Sequence, residues 1–437
     1  MGWINMALEQ QDTGGITMSG IDGMMTSNGA LNPGIQDAIS TLTFQKTKVP
    51  AERARIKILH IMGHLLRGGI EIWLYQMIQR LDPMHFSHHV LVRTAEEEPF
   101  TDSFRQAGAR VIPCLHYKNP LRFAWNFVRV LRQNGPYDVV HVHGTSLSGL
   151  LCLLLARATG VEAVIVHSHN DLRPLMRVSS LQYRLYCRIV GFFYKTVPDL
   201  GFACSERAAI SMFGERWRRD FRFRLLYYGI DFAPFAANPD LGLRQRLGIP
   251  EDAFVVGHVG RFHEQKNHAF LLDVASAVVR HAPNLHFLLI GDGPLRQCVL
   301  RDIEQRGLKP FFTLVSDTTS VASYMTGVMN CFILPSLYEG LGLVAVEAQA
   351  AGLPCLLSDR VPGEAIVDAS LIEVMPLEQS ADAWAGAVLR MRESGPRPRV
   401  AGHLELFRAS RFNAEACAGD LAAVYKRAAG RQNLESA

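Results

Sequence analysis

The sequence predicts an α/β chain with two separate parallel sheets, on three observations. From Arg55 onward, short β-branched and aliphatic runs alternate with longer amphipathic stretches, the texture of βα units. That scheme occurs twice along the chain. Between the two series, residues 229–250 hold Gly229, Pro234, Pro239, Gly242, Gly248 and Pro250, a composition suited to a connection between domains. The length of 437 residues accommodates two or three domains with full cores.

Taken in order, the first series predicts strands at Lys57–Ile61, His88–Val92, Arg110–Pro113, Asp138–His141, Ala163–His167, Leu200–Ala203 and Leu225–Tyr227, with helices between them. The second predicts strands at Val255–Val259, Leu285–Ile290, Phe312–Val315, Cys331–Leu334, Pro354–Leu357 and Leu371–Val374. Helical periodicity follows Ser380, breaks at Gly395–Pro398 and resumes from Gly402. Each series reads as a Rossmann-like layered domain. The expected organisation is a disordered leader over 1–54, an N-terminal domain over 55–232, a linker over 233–250, a second domain over 251–412, and a closing helix and tail over 413–437. A cleft between two such domains is the default ligand site.

Composition narrows the function classes. Hydrophobic residues make up 48% and charged residues 20%, which excludes collagen-like and wholly disordered chains. The 45 basic and 41 acidic residues leave a net charge of +4, too balanced for a general nucleic-acid binder. Eight scattered cysteines without a CxxC pair read as reduced thiols of a cytoplasmic protein and disfavour a disulfide framework or a zinc ribbon. The longest apolar stretch, Leu147–Ala156, is far shorter than the roughly 20 residues of a membrane span.

The strongest local signal runs from Pro335 to Pro354. An apolar strand ends at Pro335, a turn bearing Gly340 and Gly342 follows, and a helix of good helix formers leads to a Gly352 stop. Ligands of open α/β sheets bind at this strand-to-helix edge. Gly340 and Gly342 let backbone amides approach a ligand closely, and the helix N-terminus adds positive potential, which suits a phosphate. Glu339 and Glu347 would repel phosphate and instead suit sugar hydroxyls. A second handle, Gly260 to Asn267, carries Arg261 and Lys266 after another strand, a fork and a point charge able to neutralise a diphosphate. In the first half, Gly68-Gly69 precedes a helix and offers backbone amides to a phosphate without forming GxGxxG. His141 and His143 end one strand, and His167 and His169 end another; each is open to reading as zinc ligand, hydrogen-bond donor or core residue, with His143 or His169 placed for a substrate contact.

Together, the Glu339-to-Glu347 spacing, the Arg261/Lys266 pair, the Gly-Gly loop and the Asp138-x-x-His141-x-His143 strand end resemble glycosyltransferase family 4 over about Arg55 to Phe412. Ser168-His169-Asn170 and Glu347 to Pro354 are most similar to its bacterial exopolysaccharide members. The resemblance implies the GT-B fold, two Rossmann-like domains facing across a cleft, and a retaining, metal-independent transfer with a nucleotide-diphosphate sugar as co-substrate and no cofactor. It implies that Arg261 and Lys266 hold the diphosphate, Glu339 the donor sugar, Glu347 the ribose and Gly340–Leu343 the phosphate or sugar, with His143 near the reacting sugar. Two departures stand out. Tyr228-Gly229-Ile230-Asp231 replaces the commoner Asn-Gly-Ile-Asp, and Ser316-Asp317-Thr318-Thr319 replaces a loop that often carries Gly and a basic residue near the nucleobase.

The expected activity is transfer of a sugar, from a UDP-sugar in the first instance, to a lipid-linked or other saccharide acceptor in cell-surface polysaccharide synthesis. Front-face attack by the acceptor hydroxyl is favoured, since no carboxylate is clearly placed as a nucleophile. Alternatives are a non-hydrolysing nucleotide-sugar epimerase, a non-catalytic sugar-nucleotide sensor, and zinc chemistry through the histidine pairs. Gln182–Lys195 and Arg216–Arg224 interleave basic and aromatic residues, a candidate contact with anionic membrane on the cytoplasmic face or an amphipathic core helix with a solvated loop.

Overall fold

The computed structural model describes residues 55–430 apart from 67, 174–180, 241, 283, 317–319 and 396–401. The leader expected over 1–54 lies outside the described residues. The chain forms two compact units, one of residues up to Gly229 together with those from Ala414, the other Ile230–Asn413.

The first unit holds β1 (Ile56–Ile61), β2 (Phe86–Val92), β3 (Arg110–Pro113), β4 (Val139–His143), β5 (Ala163–Ser168), β6 (Leu200–Ala203) and β7 (Phe223–Leu225), in the order β3-β2-β1-β4-β5-β6-β7. All pairings are parallel, with His60 beside His141 and His143 beside His167. Helices cover the faces, which is why these strands read as continuous apolar runs. Their starts follow from sequence: Ser146 accepts from Gly149 N at 3.0 Å to cap Leu147–Ala158, and Ser205 caps Glu206–Phe213 in the same way. Trp73, Phe104, Phe123, Phe127, Tyr194 and Tyr425 are the unit's largest fully buried side chains. The last helix, Ala414–Ala428, belongs to this unit and buries Cys417, Leu421 and Tyr425. Gly229 permits its approach, since a Cβ there would lie 2.6 Å from the Ala414 Cα. Strand β7 sits two residues earlier than expected. The apolar run continues to Tyr228 because those side chains are packed, whereas strand pairing stops at Leu225.

The second unit holds β8 (Phe254–Val259), β9 (Leu285–Ile290), β10 (Phe312–Val315), β11 (Cys331–Leu334), β12 (Cys355–Ser358) and β13 (Ile372–Met375), in the order β10-β9-β8-β11-β12-β13, again all parallel. Its core gathers Phe262, Leu271, Phe287, Ile333 and Trp384, each at most 1% exposed. Trp384 also donates its indole N–H to the Pro376 carbonyl at 3.2 Å. Truncating such a residue costs about 3–5 kcal/mol. The 233–250 stretch lies within this unit. There Arg244 donates to the carbonyls of Glu251, Ala253 and Val328 and to Asn330 Oδ1, stitching the stretch to the sheet. All eight cysteines are free thiols. Among the described residues, no helix is long and apolar enough to cross a membrane.

Candidate functional site

In the second unit, two loops leave adjacent strands at the point where the sheet order reverses, between β8 and β11. After β8 the chain passes Gly260, over which the Lys266 stem packs so closely that a Cβ would lie 3.0 Å from its Cδ and Cε. Phe262 is fully buried and stacks on His268 at 4.4 Å, anchoring the loop. A single turn, Glu264–Lys266, ends at Asn267, whose φ of 56° is the left-handed step that starts helix His268–Val279. Lys266 therefore projects from a short, fixed turn.

It meets Glu339. The Lys266 ammonium donates to Glu339 Oε1 at 2.6 Å, and Ser336 Oγ donates to the same oxygen at 2.7 Å. Gln265 Nε2 bridges to the Tyr338 carbonyl at 3.0 Å and to Glu339 Oε2 at 3.3 Å, while Leu337 N donates to the Gln265 carbonyl at 2.8 Å. Glu339 is only 5% exposed, so its charge is carried by these partners. Oε1 is saturated, and Oε2 keeps room for a hydroxyl donor. The two handles that looked separate along the chain are one hydrogen-bonded unit. Ser336 and Gln265 were not singled out from sequence, since neither type carries a signal without the fold that brings them to Glu339.

Behind Glu339, Gly340 and Leu341 are buried, and Gly342 adopts φ 83° immediately before helix Leu343–Ala350. No side chain caps that helix start. Its first amide groups carry the positive end of the helix dipole, an arrangement suited to an anion. Glu347 lies one turn in. It retains partial exposure, yet burial pushes its carboxyl up to about 7, against the opposing pull of Lys266. Arg261 is exposed, and among the described residues it makes no ion pair. The site thus combines one paired cation, one exposed cation, one ionised carboxylate bound by donors, and one carboxyl poised near neutrality. Of the departing loop after β10, Asp317, Thr318 and Thr319 lie outside the described residues.

The other candidates, Gly68, Gly69, His143 and His169, belong to the first unit. Gly68 and Gly69 do open a helix, Gly69–Arg80, with no side-chain cap. However, a Cβ on Gly68 would lie 2.5 Å from Glu71 Oε2, so an anion there would meet a carboxylate. His143 ends β4 with both ring nitrogens engaged: Nε2 is 3.1 Å from His60 Nδ1, and Nδ1 is 3.1 Å from His169 Nε2. His169 Nδ1 in turn bonds Tyr228 Oη. Burial, reinforced by the neighbouring imidazoles, holds His60, His141, His143, His167 and His169 well below their ordinary pKa, so they are neutral at pH 7. His60, a lone histidine within an apolar strand, and His88, beside His89 in the next, carry no spacing signal along the chain and come to the cluster only through strand pairing. Tyr228, where the family commonly reads Asn, stacks on Trp73 at 5.2 Å.

On helix Leu181–Thr196, Leu185, Ile189 and Phe192 are exposed at helical spacing beside exposed Arg184 and Arg188; the side chains of Gln182, Tyr183 and Tyr186 lie outside the described residues. Farther on, Trp217 and Phe223 enter the core, whereas Phe221 is 85% exposed among exposed Arg216, Arg218, Arg219 and Arg224.

Comparison with known proteins finds a family match in each half of the chain. Residues 242–399 match the family described as glycosyl transferases group 1, and residues 68–212 match the glycosyl transferase 4-like domain. EpsF of Bacillus subtilis (strain 168), described as a glycosyltransferase, is 30% identical over 373 residues, covering 84% of this chain and 96% of EpsF. The Escherichia coli UDP-Gal:alpha-D-GlcNAc-diphosphoundecaprenol alpha-1,3-galactosyltransferase is 25% identical over 354 residues, covering 78% of this chain and 89% of that enzyme. Among solved structures, Anabaena HepE in complex with UDP-glucose superposes with a TM-score of 0.71 at 18% identity, covering 85% of this chain and all of HepE. The chain therefore belongs to the group 1 glycosyltransferases, with a 4-like domain in its first half and the GT-B type of fold, two Rossmann-like α/β domains.

Proposed function

We propose that the protein is a retaining, metal-independent hexosyltransferase that takes its sugar from a nucleotide diphosphate, UDP in the first instance, and transfers it to a lipid-linked saccharide in cell-surface polysaccharide synthesis. The observation that carries this reading is the Lys266–Glu339 pair at 2.6 Å, set against the uncapped helix start at Gly342. Arg261 and Lys266, with the helix amides, stabilise the departing diphosphate without magnesium or manganese. Glu339 Oε2 holds a donor-sugar hydroxyl as the anomeric carbon becomes cationic, and Glu347 binds the ribose. The acceptor hydroxyl attacks from the face the diphosphate leaves, and its proton passes to the leaving phosphate. The E. coli relative, whose name gives a UDP-sugar and a diphosphoundecaprenol-linked acceptor, and HepE, solved with UDP-glucose, support the choice of donor and acceptor class. The basic and apolar surface of helix Leu181–Thr196 and residues 216–224 is the proposed contact with anionic membrane on the cytoplasmic face, where such an acceptor resides.

A donor screen by mass spectrometry, with membrane lipid extract as acceptor and no added divalent metal, tests the whole reading. Transfer from a nucleotide-diphosphate sugar to lipid-linked saccharide is expected. Epimerised donor without acceptor, or strict dependence on added magnesium or manganese, contradicts it.

A further inference from the structure

The histidine that follows β1 is oriented by a carboxylate from the loop after β2. His64 Nδ1 lies 2.6 Å from Glu98 Oε1, and Leu65 N donates to Glu98 Oε2 at 2.5 Å. The backbone ties the same two loops: Arg93 N donates to the Gly63 carbonyl and Phe100 N to the Leu65 carbonyl, each at 3.0 Å. The Glu98 side chain is 12% exposed, whereas that of His64 is 35% exposed. An ionised carboxylate can only accept, so Nδ1 carries the proton, and in the neutral ring the lone pair sits on Nε2. Among the described residues, Nε2 has no hydrogen-bond partner.

The place of His64 in the sheet gives that lone pair a use. Ile61 of β1 lies beside Val142 of β4, so the chain running on to His64 leaves the sheet next to the strand end that carries His143. This is the carboxyl edge at the point where the strand order reverses, where ligands of such sheets bind. A second histidine–carboxylate pair in the same unit makes a useful contrast. His85 and Asp82, 2.9 Å apart, are three positions apart in sequence, are both exposed, and precede β2 at its other end. They belong to a local turn. The His64–Glu98 pair instead spans 34 residues and sets a mostly buried carboxylate to hold one ring.

We propose that His64 Nε2 accepts a hydrogen bond from a hydroxyl of the acceptor saccharide, other than the hydroxyl that attacks, and so selects and orients the acceptor; this rests on the transferase reading above. A lone pair backed by a carboxylate at 2.6 Å repels phosphate oxygens, so neither the nucleotide diphosphate nor a lipid-linked diphosphate suits it. Saccharide hydroxyls donate, and the hydroxyls of the donor sugar have their proposed partner, Glu339, in the second unit.

The test measures transfer by the full chain from the nucleotide-diphosphate sugar that the donor screen turns over, with the concentration of membrane lipid extract varied. His64→Asn keeps an amide N–H where Nδ1–H meets Glu98 and removes Nε2. It should raise the half-saturating extract concentration about tenfold or more, with the donor KM, the calorimetric affinity for the nucleoside diphosphate and the melting temperature unchanged. His64→Gln places an amide where Nε2 stood and should recover part of the loss, and His85→Asn should match the wild type throughout. Wild-type half-saturation in His64→Asn overturns the role of His64 while the transferase reading stands. An equal rise in the donor KM, or a loss that His64→Gln does not reduce, overturns it too. Absence of transfer by the wild-type chain overturns both.

Discussion

The two sheets are wound in the same order, and in each the central pair of strands, β1 with β4 and β8 with β11, marks the point where that order reverses. A side-chain pair spans this point in both. In the first unit it is His60 with His143, two neutral imidazoles 3.1 Å apart; in the second it is Lys266 with Glu339, two opposite charges 2.6 Å apart. Topology fixes where a ligand site forms in such a sheet, and the residues on the loops decide its chemistry. A neutral nitrogen cluster has no net charge to offer a diphosphate. The charged edge has an exposed Arg261, a paired Lys266 and an uncapped helix start.

The largest effects should come from removing the cations of the charged edge. Arg261→Ala and Lys266→Ala are each expected to lower kcat/KM by about 2–4 kcal/mol, roughly 30- to 1,000-fold, in steady-state transfer assays. Thermal melts should separate the two. Lys266→Ala strips a partner from a carboxylate that is 5% exposed and costs on the order of 1–3 kcal/mol of stability, whereas Arg261→Ala stays within about 0.5 kcal/mol. Near-wild-type turnover in either variant would remove the distinction between the two edges.

Glu339→Gln comes next. Its effect is expected in kcat, because the proposed sugar contact would strengthen as positive charge develops, and a pure KM effect would show that Glu339 binds the ground state instead. Glu347→Gln should weaken the nucleoside diphosphate by about 1.5–3 kcal/mol, seen in KM and by calorimetry. It also carries a pH signature. Burial raises the folded-state pKa from 4.5 to about 7, so between those values the native state holds a proton that the unfolded chain has lost. Stability from this group is present below pH 4.5 and declines as pH rises to about 7, by up to about 3 kcal/mol. Urea melts at several pH values should show that decline in the wild type, and the neutral glutamine should remove it.

Much of this was legible beforehand because buried parallel strands announce themselves as aliphatic runs between Gly and Pro. Five strands, β3, β6, β9, β10 and β11, fall where the sequence puts them. Strand β4 runs two residues past its expected end at His141, because a buried neutral imidazole packs as an apolar side chain would and the run appears to stop only when histidine is read as polar. Arg261, Lys266, Glu339 and Glu347 stood out through charge type and spacing along single loops. The Lys266–Glu339 bond could not be read, because 73 residues separate the partners and only the β8–β11 pairing brings them together. The same holds for His60 with His143, across 83 residues.

The smallest effect concerns the first unit's surface. Replacing both Phe192 and Phe221 with serine should reduce binding to phosphatidylglycerol vesicles by about 1 kcal/mol per residue and leave turnover on a soluble acceptor unchanged. Vesicle sedimentation at two salt concentrations would show it, and unchanged sedimentation would assign the exposed stripe some other role.

The central claim is that the charged edge of the second sheet binds the diphosphate, and its most direct measurement is calorimetric titration of UDP and of uridine into the wild type and Arg261→Ala. Wild-type protein should bind UDP far more tightly than uridine, and Arg261→Ala should lose at least tenfold in UDP affinity while its uridine affinity is unchanged. Equal UDP affinity in the two proteins would contradict the account.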